Sequence, residues 1–404
     1  MMHSKRLWGR MLGIAGLSLT ALLAIHQVPC TALGSQEEHM IILPERVYVE
    51  TWADQIGLYD RISLHVAIVN DASSEVRLEQ IRFFFPGSDG SRYEAVLDGK
   101  ALEQRLKEGA QAVFVAEEVR TERSLCADLH LAPRGVAALV GNQFALPNGI
   151  GASKAIVEAH TRGPDGTGNI LREEVPLWRY QPTTRFQFPF SGTWMVISDH
   201  GPGPGHPVNL FAYDFCKVQG VSVHRGDGRR LEDWFGYGEP ILAVADGLVV
   251  EASQAPGVTE TPPLVPLPTA EQMGVNGVTI TNTLLTLDRE GIHYAPGNLR
   301  WENLSPEDRG RLNGAYVVIQ HTEEEFSFYV HLQPGSLLVN PGDRVKAGQP
   351  LGKCGSAGHA NGPGLHFQLL YKPDQCAGLP VAFTPASDPD SPPLRLRSLW
   401  VVEN

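Results

Sequence analysis

The stretch YVHLQPGSLLVNPGDRVKAGQPLGKCGSAGHANGPGLHFQLL, residues 329–370, decides the fold of this 404-residue chain. It opens in one apolar run, FSFYVHL (326–332), and closes in another, GLHFQLLY (364–371), with Pro-Gly and glycine-rich turns between. Short apolar runs bounded by glycine and proline read as strands, because they are too brief for a helix and end where helix-breaking residues begin. The same pattern extends upstream through GAYVVIQH (314–321) and GEPILAVADGLVVEAS (238–253), where Asp246-Gly247 is a hairpin-type turn between two apolar runs. From Thr193 to the end, 193–404, these strands predict a single, mostly antiparallel β domain. It is interrupted at 254–313 by TETPPLVPLP and a polar NLRWENLSPEDRGRLNG, an aperiodic insertion of the kind that is either functional or decorative. Two placements stay open for it, over a cleft or far from one.

Toward the N-terminus the pattern changes. Residues 40–177 show alternating runs, RVYVETWA, RISLHVAIVND, VRLEQIRFFFPG and QAVFVAEEV, separated by turn residues. Period-two alternation with closely spaced turns predicts an immunoglobulin-like β-sandwich, with one short helix over Gly99–Gly109. The segment WRYQPTTRFQFPFSG, 178–192, has no clear period and reads as the connection between the two halves. The fold class is therefore mainly β.

Composition narrows the function. With 42% hydrophobic and 19% charged residues the chain is that of a folded protein. Its formal net charge of -12, with no block of clustered Lys and Arg after residue 10, argues against nucleic acid and anionic membrane surfaces as partners. Residues 1–34 pair a basic stretch, MMHSKRLWGR, with a short apolar run and small residues, the pattern of an export signal peptide. Export to a periplasmic or extracellular site, without stable membrane insertion after cleavage, is the expectation. Cleavage after Cys30 leaves Cys126, Cys216, Cys354 and Cys376, either as disulfides, Cys354 with Cys376 first, or as buried thiols.

The candidate chemistry lies in the C-terminal half, since His65, His130 and His160 are scattered over different N-terminal elements. GHPVNLFAYDF (205–215) carries His206 and Asp214, FYVHL carries His331 near a strand end, and GPGLHFQL carries His366. Two histidines and a carboxylate with an open position suit hydrolytic zinc, which lowers the pKa of bound water and polarises a carbonyl. Spacing alone does not bring these residues together.

The block 329–370, with FAYDF (211–215) and GEPILAVADGLVV (238–250), resembles the motif region of the M23 metallopeptidases of the lysostaphin/LytM type. The resemblance covers most of 193–372 apart from the insertion. It implies an antiparallel β metallopeptidase domain, Zn2+ held by His206, Asp214 and His366, and catalytic His331 beside the metal. It also implies peptidoglycan peptides as substrate, hydrolysed by metal-activated water. His331 would orient that water or hydrogen-bond the tetrahedral oxyanion. The sequence departs from the family pattern at Gly364, where the first His of its His-x-His motif is expected. In a strand, residues 364 and 366 share a face, so a gap beside His366 is the expectation. His359 is either an exposed loop residue or a group that swings into that gap. Around these positions, His200 is a rival to His206 as first ligand, and Cys216 is an extra ligand or a packed thiol. His321 is a support of the site or a core residue, and His224 a loop residue. Loss of the motif histidine leaves a second reading, a catalytically impaired wall-binding module or regulator of another hydrolase.

Overall fold

The computed structural model describes residues 37–53, 58–115, 117–120, 122–200, 210–220, 222–260, 262–263, 285–288, 291–293, 305–373, 377–384 and 401–402. The expected export signal, His206, Cys376 and much of the insertion lie outside these residues. Among the described residues no helix is long and apolar enough to cross a membrane.

The mainly β expectation holds. In the N-terminal half the principal strands are β1 (Glu38–Leu43), β2 (Leu58–Asn70), β3 (Val76–Pro86), β4 (Arg92–Asp98), β5 (Gly135–Pro147), β6 (Lys154–Arg162) and β7 (Gly168–Trp178). They form two sheets. One runs β1–β2–β5 and ends on Ser124–Cys126; the other runs from Val47–Tyr48 through β7–β6–β3–β4. The alternation seen in the sequence sends Leu64, Val66 and Ile68 of β2 and Ile81, Phe83 and Phe85 of β3 into one shared core. Helix α1, Gly99–Ala112, three residues longer at its end than the sequence suggests, adds Leu102 and Leu106 to it.

The C-terminal half is built on one large sheet, with Pro240–Leu242 and Pro350–Lys353 paired in a separate two-stranded one. The strands of the large sheet are β8 (Trp194–His200), β9 (Ala212–Lys217), β10 (Gly247–Ser253), β11 (Ala315–Thr322), β12 (Glu325–Leu332) and β13 (Leu365–Leu370). Their spatial order is β10–β11–β12–β13–β9–β8, antiparallel at each step. One face carries an aromatic core of Tyr213, Phe215, Tyr329 and Phe367. Phe186, Phe188 and Phe190 of the segment 178–192 complete it, all buried. At about 1.5–3 kcal/mol per buried phenylalanine, that segment is a structural part of the core.

The two halves touch through several contacts and lie within one compact unit, Glu37–Asn404. Arg46 packs its guanidinium over Tyr371 and Trp178 and pairs with Glu324 at 2.7 Å. Within the insertion, the strand Leu285–Asp288 runs parallel to Val113–Val115 and buries Leu287 among Val69, Val136 and Val140 of the N-terminal half. That part of the insertion therefore docks on the N-terminal half. Its final residues form helix α2, Pro306–Asn313, which Ser305 caps by accepting the Asp308 N–H.

Glu325 anchors the connecting segment. Its buried carboxylate accepts from Tyr180 Oη (2.8 Å), Thr183 N (2.7 Å) and Oγ1 (2.9 Å), and Thr184 Oγ1 (2.5 Å). Burial pushes this carboxyl up, but the hydrogen bonds led by Thr184 outweigh it and hold the group below its ordinary value. Replacing Glu325 by Ala strands those donors, so Glu325→Ala is expected to lower unfolding stability by about 2–3 kcal/mol in urea titration, and Glu325→Gln by less.

His65 on β2 is buried, and its Nδ1 accepts the N–H of Gly141 at 2.8 Å. Burial, with Arg105 adding, depresses its pKa from 6.5 to about 4. The unfolded chain therefore binds the proton first, and stability is full above the unfolded value. As pH falls from near 6.5 toward 4, about 3 kcal/mol is lost. Denaturation from pH 7 to pH 4 should show this slope in the wild type and a flatter one in His65→Asn, which keeps an acceptor for Gly141 and does not titrate.

Candidate metal and catalytic site

Strands β9 and β13 are neighbours, and their register sets Asp214 directly opposite His366. Phe215, Leu365 and Phe367 occupy the alternate positions and point into the aromatic core, so Asp214 and His366 stand on the other face. There His366 Nδ1 meets Asp214 Oδ1 at 2.7 Å. The His366 side chain is 7% exposed and that of Asp214 30%, so the pair is open to solvent from the Asp214 side.

His331 reaches the same face by breaking the strand's alternation. Tyr329 lies in the aromatic core and Val330 pairs with His366, so the next residue of a regular strand would return to the core. His331 has φ 67°, in the left-handed region, and Leu332 takes the core position instead. For a residue other than glycine this backbone costs about 1–3 kcal/mol and needs surrounding contacts to hold it. One is the hydrogen bond from His331 Nδ1–H to the carbonyl of Ala357, 2.8 Å. Because a carbonyl only accepts, Nδ1 carries the proton and Nε2 keeps its lone pair. The ring centroid lies 5.9 Å from that of His366, the two rings steeply inclined to one another. Burial pushes the His331 pKa down to about 4, and His366 adds to this, so the ring is neutral at pH 7.

The remaining candidates fall into place one by one. His359 is exposed, and its backbone N–H donates to Leu312. His321 is held between the Asp246 carbonyl and Ser327 Oγ, 2.8 Å each, on the core side of the sheet. His224 packs on Trp234 at 5.3 Å, and His200 ends β8 opposite Ala212. In the N-terminal half, His130 pairs with Glu75 while His65 is buried. Cys126, Cys216 and Cys354 are buried free thiols, and Cys376, the partner first expected for Cys354, lies outside the described residues.

The gap expected beside His366 does not exist. Continuing the β9–β13 register outward sets Cys216 against Gly364, and a Cβ at 364 would lie 3.0 Å from the Phe215 carbonyl and 3.3 Å from Cys216 Sγ. The thiol fills the space and donates to the Pro363 carbonyl at 3.4 Å. Burial, with Asp214 adding, pushes its pKa up to about 12, so it is a protonated, packed thiol. Its position is legible in the sequence as the second residue after Asp214; that it pairs across with Gly364 depends on register.

Among the described residues no group of three or more His, Cys, Asp or Glu side chains converges as a metal cage. Asp214 and His366 bring together two donors of the type zinc takes. The third expected ligand, His206, lies outside the described residues.

Residues 304–377 match the model of peptidase family M23. The chain carries an M23 peptidase domain. The matched residues include His331, Gly364 and His366, while Asp214 precedes them. Over 60 residues the chain is 43% identical to the peptidoglycan DD-endopeptidase ShyC of Vibrio cholerae, which covers 15% of this chain and 13% of that protein. Over 59 residues it is 41% identical to ShyA of the same organism, again 15% and 13%. The chain thus spans about an eighth of the length of these relatives. Among solved structures, the catalytic domain of lysostaphin from Staphylococcus simulans aligns with 48% of this chain and 85% of its own, at 17% identity and TM-score 0.23. A zinc containing peptidase from Vibrio cholerae aligns with 83% and 86%, at 16% identity and TM-score 0.24.

The Cys216–Gly364 pair gives a direct test. Gly364→His alone overpacks against Cys216 and should lose about 1–3 kcal/mol in chemical denaturation. Combined with Cys216→Gly the loss should shrink, giving a favourable coupling energy in the double-mutant cycle; additive losses would mean the two positions do not share space.

Proposed function

We propose that this protein is a zinc metalloendopeptidase that hydrolyses peptide bonds of peptidoglycan at an exported, cell-envelope location. The observation that carries the reading is the convergence of Asp214 and His366 on one solvent-open face with the neutral ring of His331 beside them. The peptidoglycan relatives supply the substrate class. In this reading residues 40–177 form an immunoglobulin-like domain, 178–192 join it to the rest, and 193–404 form the peptidase domain.

Asp214 and His366, with His206, would hold the metal. When bound, Zn2+ supplies an acidified water and polarises the scissile carbonyl. Asp214 and His366 present a carboxylate and an imidazole nitrogen from adjacent strands, a rigid platform that needs no rearrangement of backbone to present both donors. His331 enters unprotonated at Nε2 and fixed at Nδ1, so that nitrogen is the one available to accept a proton from an attacking water. Once protonated it becomes a donor and stabilises negative charge developing on the carbonyl oxygen.

A second reading has its own observation. Cys216 fills the space beside Gly364 where the family resemblance expects a catalytic histidine, which favours a wall-binding or regulatory module without turnover. Metal analysis together with digestion of purified peptidoglycan separates the two. The enzyme reading expects about one zinc per chain and release of soluble peptides. Asp214→Ala and His366→Ala should lose both, whereas His331→Ala should keep zinc and lose turnover by about 100-fold or more. Bound zinc with no peptide released by the wild type would leave the module reading standing.

A further inference from the structure

The loop Gly355–Gly364 carries Ala357, whose carbonyl orients His331, and the loop is fastened from the insertion. Glu260 stands at the insertion's start. Its backbone pairs with Ala357 in an isolated antiparallel bridge, and its Oε1 accepts the N–H of Ser356 at 3.0 Å. Its Oε2 accepts the hydroxyl of Tyr237 at 2.6 Å. Tyr237 Oη in turn accepts from Gln333 Nε2 at 3.0 Å, two residues beyond His331. One carboxylate therefore ties the peptide that receives the His331 ring proton to the chain that leaves His331.

The fit around it is close. A Cβ at Gly355 would lie 2.7 Å from Glu260 Oε1 and 2.5 Å from the Gln333 backbone nitrogen. Buried Ser356 and Ala357 therefore have little room to move while Glu260 is in place. Gly314, at the insertion's end, also packs closely on Ala357 and Gly358. Both ends of the insertion thus touch Ala357, whose carbonyl fixes the His331 tautomer.

We propose that Glu260 is a positioning residue for His331: by holding Ser356 and Ala357 against Tyr237 and Gln333, it keeps the imidazole in its Nδ1–H tautomer with Nε2 free for the reaction. This rests on the role given above to His331. Hydrogen-bonded supports of this kind change rates by about 10–100-fold when removed, because a small misplacement of a reacting group is costly.

The test uses the full chain labelled with 15N-histidine, loaded with zinc and assayed on purified peptidoglycan. His331→Gln identifies the His331 signals. The wild type should show His331 as the Nδ1–H tautomer. Glu260→Ala should mix the two tautomers, keep the zinc content, and lower kcat about 10-fold or more with KM changed less than about 2-fold. Glu260→Gln, which retains an acceptor for Ser356 N–H and a polar partner for Tyr237, should restore the tautomer and most of kcat. An unchanged His331 tautomer in a folded Glu260→Ala protein would overturn the proposal. So would a loss that Glu260→Gln fails to rescue and that follows the melting temperature, since that marks a purely structural role. If the wild type releases no peptide while the tautomer still depends on Glu260, the peptidase reading fails and the positioning stands.

Discussion

The register of β9 against β13 is the constraint on which the site depends. Asp214 faces His366 only because Phe215 faces Leu365 and Tyr213 faces Phe367. Those neighbours are wedged in an aromatic core with Tyr329, Phe190 and Phe383. Slipping the pairing by one residue would turn every side chain to the opposite face, burying the carboxylate and exposing the rings. Burial of those rings, at a few kcal/mol each, therefore fixes the polar pair more firmly than the single hydrogen bond between Asp214 and His366 does.

Against that rigid pair, His331 is held by opposed local forces. Its left-handed backbone is unfavourable, and its ring sits where ionisation is costly. The Ala357 carbonyl and the continuation of the chain into Leu332, buried in the core, keep it there. The same break that strains the backbone delivers the side chain to the Asp214–His366 face. Regular alternation would have placed it among Tyr329 and Phe367.

That break explains which parts of the molecule the sequence discloses. Period-two alternation in VRLEQIRFFFPG and GLHFQLLY reads correctly as strands, because half-buried sheets require it. The alternation also places Asp214 and Cys216 on one face of their strand. Pairing between strands far apart in sequence depends on long-range packing, so the partnership of Asp214 with His366 rests on resemblance, and the gap expected at Gly364 is wrong for the same reason. A glycine in a strand seen alone looks like missing volume; opposite Cys216 it is the complement of a neighbouring side chain. The left-handed turn at His331 has no signal in FYVHL, since neither glycine nor asparagine marks it. The insertion is equally opaque, because its role lies in what its ends touch.

The Cys216–Gly364 pair also bears on how the site works. In the proposed peptidase, a second histidine on that face would share with His331 the tasks of accepting a proton and stabilising charge. With the thiol protonated and packed in its place, the described residues set the neutral imidazole of His331 beside Asp214 and His366. In that reading its tautomer and direction would then carry more of the chemistry, and both depend on the Ala357 carbonyl in a loop of small residues, Gly355 through Gly358. Small residues alone would leave such a loop loose, since glycine loses the most conformational freedom on being fixed. The close approach of Gly314 and the Glu260 carboxylate supplies the order that the loop's own side chains cannot, and it couples the precision of His331 to the insertion rather than to the strands that carry Asp214 and His366.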